Sequence, residues 1–146
     1  MTSITTDDPE EAVTEWFTLL DEYCEAEDYD AMRPHVAEDV VSFGTKAELV
    51  VGREHLIENQ WREIWGNVEA FSIDLENLRS FGGESTAWGV ATWDSTGFDE
   101  NGESFYRPGR ATVVLERRDG RWVARHTHFS LYPGTPQFTY GPDGKA

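Results

Sequence analysis

Two histidines, His126 and His128, stand two residues apart in RWVARHTHFSLY, residues 121–132. An imidazole titrates near pH ~6.5, so it can give or take a proton at neutral pH. Such a pair could serve as acid and base in an isomerisation, cyclisation or dehydration. It could also help to bind a ligand, or offer two nitrogens to a metal ion. On an extended strand, residues i and i+2 point to one side. Trp122, Ala124, His126, His128, Ser130 and Tyr132 are therefore expected to share a face. On the neighbouring strand the same alternation groups Arg110 with Thr112 and Val114. A buried Arg110 would bind an anionic ligand bidentately or polarise a carbonyl. A third use of the same residues is structural, with a histidine bonded to Ser130 or to a backbone carbonyl.

A metal site would need a further ligand. Glu116 is the nearest in sequence, and nothing fixes it within reach. There is no H-x-x-x-H or C-x-x-C pattern, and His35 and His55 read as surface helix residues. No metal is assigned. No Gly-rich phosphate loop and no G-x-S-x-G occurs, so no cofactor is assigned either. Cys24 reads as a small buried hydrophobe.

The hydrophobic pattern supplies elements to hold these side chains. Asp8 can cap a helix, Pro9 suits its first position, and Glu11 completes a capping box. Val13, Trp16, Phe17, Leu20 and Cys24 follow at helical spacing and predict a helix ending near Glu25–Glu27. DYDAMRPHV reads as a short helix stopped near Pro34, DVVSFG as a short strand, and TKAELVVG as a loop. REHLIENQWREIW reads as a second long helix, with Leu56, Ile57, Trp61, Ile64 and Trp65 as its stripe. After residue 67 the period falls from helical to twofold. EAFSIDLENLRSF, STAWGVATWDST, FYRPGRATVVLERR and RWVARHTHFSLY read as strands, with Pro108 confined to a strand start or a bulge. Helices first and a strand meander second predict an α+β fold, its helices packed on one face of a strongly curved antiparallel sheet. Residues 1–132 form a single domain, and 133–146 an irregular Pro/Gly-rich tail.

The last strands carry apolar or small residues on both faces, while the helices can cover only one. The economical cover for the other is a second copy of the same sheet, a homodimer through the outer sheet face. Net charge is −16, from 28 acids against 12 bases, which argues against nucleic acid and anionic membranes as partners. Residues 1–32 hold eleven acids and no base. Such a surface suits a salt-rich cytoplasm, and equally an ordinary acidic protein that favours Arg over Lys. One cysteine, an N-terminus without a basic or apolar segment, and the absence of a long apolar run lead to the expectation of a cytoplasmic protein.

Three stretches together resemble the SnoaL-like domain of the nuclear transport factor 2-like superfamily. AEDVVSFGT is similar to its first strand, VVGREHLIENQW to the opening of its third helix, and GRATVVLERRDGRWVARHTHFS to its closing hairpin. The resemblance spans roughly residues 10–132. It implies a cone-shaped α+β barrel, a pocket between helices and sheet, and a homodimer. Trp16, Trp61 and Trp88 could then wall the pocket above a floor of Arg110, His126, His128 and Ser130. A small organic molecule is the expected ligand. The superfold hosts isomerases, cyclases, dehydratases, adaptors and a kinase association domain, so an acid/base enzyme using His128 or His126 and an oligomerisation module are the alternatives. In steroid isomerases a carboxylate base stands near the end of the first strand, where this chain has Phe43 or Gly44. Asp94 and Glu116 lie near strand ends, as solvated charges do.

Overall fold

Asp8 starts the first helix as the sequence predicts, its carboxylate accepting from the backbone N–H of Glu10 and Glu11. In the computed structural model, which describes residues 3–143, this helix, α1, spans Pro9–Ala26 and stops at Glu27 in a left-handed conformation (φ 53°). It buries Val13, Trp16, Phe17, Leu20 and Cys24. A short α2, Tyr29–Met32, passes into a 3₁₀ turn, Arg33–His35, that takes up Pro34. The second long helix covers 53–67 but is not uniform. Arg53–Leu56 is α-helical, Ile57–Trp61 is a π segment, Arg62–Ile64 is α-helical again, and Trp65–Asn67 is 3₁₀.

Among the described residues eight strands form one sheet: β1 Val36–Phe43, β2 Leu49–Val51, β3 Glu69–Ile73, β4 Arg79–Gly82, β5 Thr86–Phe98, β6 Ser104–Tyr106, β7 Gly109–Arg118 and β8 Arg121–Leu131. Their order is β2-β1-β8-β7-β5-β3, with β4 and β6 also paired to β5. All pairs are antiparallel except β1 with β8, which run parallel. The fold is α+β, with few helices on a large antiparallel sheet.

Four expectations change. The 45–52 segment is not all loop, because Leu49–Val51 pairs with the end of β1. EAFSIDLENLRSF is not one strand. A positive φ at Ala70 accompanies a register shift in β3, and a 3₁₀ turn at Leu75–Asn77 separates β3 from β4. His35 is not a surface residue; it is buried beneath Tyr23.

The fourth change concerns parity. Val114 faces His126 across the β7–β8 ladder, while Leu115 faces Ala124. One extra residue, Arg125, therefore stands on β8, which is a β-bulge. An inserted residue flips every later side chain to the opposite face. Trp122 and Ala124 are buried in the core, yet Thr127 and Phe129, not His126 and His128, continue that inward face. The expected common face of Trp122, Ala124, His126 and His128 does not form. No helix among the described residues is long and apolar enough to cross a membrane.

Candidate functional site

The inward side chains meet in a cavity between α1, the 53–67 helix and the sheet. Its volume is about 590 Å³, the open mouth included. Trp16, Leu20 and Cys24 come from α1, and Leu56, Gln60, Trp61, Ile64 and Trp65 from the 53–67 helix. Trp16 is fixed by an Nε1–H bond to the His35 carbonyl (2.9 Å). Trp61 and Trp65 stack at 4.7 Å between centroids. Gln60 and Trp61 lie on the buried face within the π segment, and such segments are frequent at functional sites.

The polar contribution is small and tied together by Thr45. Gln60 Oε1 accepts the backbone N–H of Lys46 and of Ala47, both at 2.8 Å, and its Nε2 donates to Thr45 Oγ1 at 2.9 Å. Arg107 Nη2 donates to the same hydroxyl at 3.1 Å. Gly44 leaves the room this needs, since a Cβ there would come within 2.4 Å of the Gln60 side chain. No carboxylate could therefore stand at position 44 with Gln60 as placed. Ser42 and Thr127 bond to each other on the sheet side.

Arg107 is the electrostatic feature of the cavity. It falls between β6 and β7, opposite Ser95, and only 1% of it is exposed. Its guanidinium lies 5.6 Å from the Trp93 ring. No carboxylate among the described residues pairs with it, and burial pushes its pKa down to about 10. Cys24, at the same site, has its thiol pushed up to about 12, by burial first and then by Asp21 and Glu27. Such a thiol is not a nucleophile at neutral pH.

Of the residues singled out by sequence, Trp16 and Trp61 line the cavity. Trp88, Arg110, His126, His128 and Ser130 do not. They are gathered together, but on the outer face of the sheet. Trp88, Val114 and His126 form one cross-strand row, Val90, Thr112 and His128 the next, and Thr92, Arg110 and Ser130 the third. His126 Nδ1–H donates to the Val41 carbonyl at 2.7 Å, and both imidazoles lean on Phe43. The pocket floor expected from these residues is corrected to Arg107, Thr45 and Gln60, because the bulge at Arg125 reverses the parity of β8 and because Trp88 and Arg110 follow the outward alternation of β5 and β7. No three His, Cys, Asp or Glu side chains converge as a metal site among the described residues.

Arg107 and Gln60 carried legible signals. Arg107 shares its parity with Ala111, Val113 and Leu115, so it is a charge on an apolar face. Gln60 sits one turn from Leu56 and Ile57 in a buried stripe.

The SnoaL-like domain family matches residues 10–134. This chain belongs to that family. No curated protein matches the sequence. Among solved structures, this SnoaL-like domain is similar to a candidate dehydratase of the NTF2-like family from Streptomyces avermitilis, at 20% identity and a TM-score of 0.71, over 87% of this chain and 99% of that one. It is similar to the association domain of the C. elegans kinase CaMKII, at 18% identity and a TM-score of 0.64, over 83% and 94%. It is also similar to a nuclear transport factor 2-like superfamily protein from Salmonella enterica, at 15% identity and a TM-score of 0.70, over 87% and 93%. At these identities the likeness establishes a nuclear transport factor 2-like fold and not an activity.

Proposed function

We propose that this SnoaL-like domain binds a small, mainly apolar organic molecule in the cavity between α1, the 53–67 helix and the sheet, and does so as a homodimer through the outer sheet face. The observation that carries the binding reading is the cavity wall itself: Trp16, Trp61, Trp65, Phe71, Trp93 and Phe129 around a few polar groups. Apolar walls with sparse, convergent polar atoms are the usual composition of a small-molecule site. The lining favours binding over acid/base chemistry, since it includes no His, Asp or Glu. Trp16 and Trp61 keep the role of ligand walls.

Trp88, Arg110, His126, His128 and Ser130 are reassigned to the dimer face. The reading is supported by Trp88 at 41% exposure and Phe81 at 55%, in a tilted ring contact 4.7 Å between centroids beside the exposed Val90. The same patch supports a second reading, a self-associating module like the CaMKII association domain.

Native mass spectrometry of the full chain, followed by denaturing analysis of the same sample, is the test. A dimer that releases a small organic molecule is the expected result. An empty protein that no member of an aromatic fragment set stabilises against heat would overturn the ligand site. An assembly larger than a dimer with an empty cavity would favour the module.

A further inference from the structure

The cavity has a surplus of hydrogen-bond donors. Arg107 Nε and Trp93 Nε1 are both buried, and neither finds an acceptor among the described residues. Both side chains line the cavity. The guanidinium has five N–H bonds, and Thr45 Oγ1 is the one side-chain acceptor it meets among the described residues. Buried polar groups are normally satisfied, and an unpaired buried charge is costly. The imbalance is more pointed because the whole chain carries −16, yet no carboxylate among the described residues forms an ion pair with this cation. Glycines nearby leave the room that the arrangement needs. A Cβ at Gly97 would lie 3.0 Å from Arg107 Cδ, and one at Gly109 would lie 2.1 Å from Trp93 Cζ2.

We propose that the ligand of this cavity is a small monocarboxylate. Its carboxylate sits against Arg107 and Trp93, and its apolar body lies among Trp16, Trp61, Phe71 and Phe129. The inference rests on the cavity being a ligand site. A guanidinium fork matches the two oxygens of a carboxylate. One such cation, with no second Arg and no Lys in the lining, balances one negative charge. A phosphate monoester, with nearly two charges at neutral pH, would be left uncompensated. The lining sets the size, since aromatic walls on several sides of one cation suit a short-chain acid or a single ring.

The test titrates the full chain with benzoate, benzamide, butyrate, butyramide, phenyl phosphate and indole, read by tryptophan fluorescence and by thermal shift. Each acid should bind at least tenfold more tightly than its amide, and phenyl phosphate more weakly than benzoate. In Arg107→Met the acid should fall to the level of the amide. The ligand-free variant should melt no lower than the wild type, because a buried unpaired charge has been replaced by an apolar chain of similar length. Amides and indole binding as well as the acids would overturn the carboxylate and leave the ligand site standing. No binding by any probe would overturn both. Tighter binding of phenyl phosphate would overturn the single charge, and undiminished benzoate binding by Arg107→Met would overturn the role of Arg107. Should the variant fail to fold, the acid–amide comparison on the wild type decides alone.

Discussion

Asp21, on α1, illustrates how burial sets the behaviour of single residues here. Its carboxylate accepts the Ile73 N–H at 3.1 and 3.2 Å. Desolvation nevertheless outweighs that bond and raises its pKa from 3.8 to about 6. A raised carboxyl pKa means that the native state binds the proton more tightly than the unfolded chain does. The stabilisation is complete below the unfolded value and is lost as pH rises through 6. Asp21→Asn keeps an oxygen for Ile73 and removes the charge. It should raise stability by about 1 kcal/mol at pH 7.5, discounted for partial exposure, and the gain should vanish near pH 4. Melting temperatures of the two proteins across that range check it, and a gain that does not depend on pH would refute it. His35 acts in the opposite sense. Burial first, and Arg121 second, hold its pKa below the usual histidine value, so its neutral form is native and its contribution is lost as pH falls through that range. Comparing Asp21→Asn with the wild type separates the two.

At the scale of elements, the decisive feature is one inserted residue in β8. Arg125 donates to the Asp39 carbonyl at 2.8 Å and lies near its carboxylate, but its place in the backbone matters more than its side chain. Arg125→Ala should cost under about 1 kcal/mol, as partly exposed ion pairs do. Deleting Arg125 would leave Leu115 opposite Ala124 and Val114 opposite His126 in a straight ladder, with Trp122, Thr127 and Phe129 all still inward. It should therefore cost no more than about 2 kcal/mol, below the range of core disruption. Urea unfolding of both variants is the measurement, and a loss of more than about 4 kcal/mol on deletion would show that the bulge itself holds the sheet together. The π segment Ile57–Trp61 is the helical counterpart of this bulge: Gln60 and Trp61 both end up buried beside Thr45 and Trp65. Neither irregularity interrupts its element, so the hydrophobic period on either side stays readable.

At the scale of the whole molecule, two surfaces of one sheet divide the work. The inner face closes on helices and cavity. The outer face leaves Phe81, Trp88 and Val90 exposed, with Arg110 and His128 among them. Trp88→Glu should convert the proposed dimer to a monomer while leaving the cavity and its ligand response intact, since Trp88 does not line it. Sedimentation velocity checks the first part and the fluorescence titration the second. An unchanged assembly in Trp88→Glu would move the interface elsewhere.

The sequence by itself determined the type of the long elements, the α+β class, the cap at Asp8 and the inward stripes of Trp16 and Trp61. These follow from local physics: periodicity, capping chemistry and the φ limits of proline. It also assembled Trp88, Arg110, His126, His128 and Ser130 as neighbours, because alternation and adjacency of strands bring them together. Which side of the sheet they occupy was decided by tertiary structure. A bulge leaves no mark in composition, and only the pairing of β7 with β8, which keeps Trp122 and Leu115 buried together, shows where the extra residue goes. The same holds for Arg107. Its parity with Val113 places it on the apolar face, but that it lacks a carboxylate partner depends on every segment that packs around it.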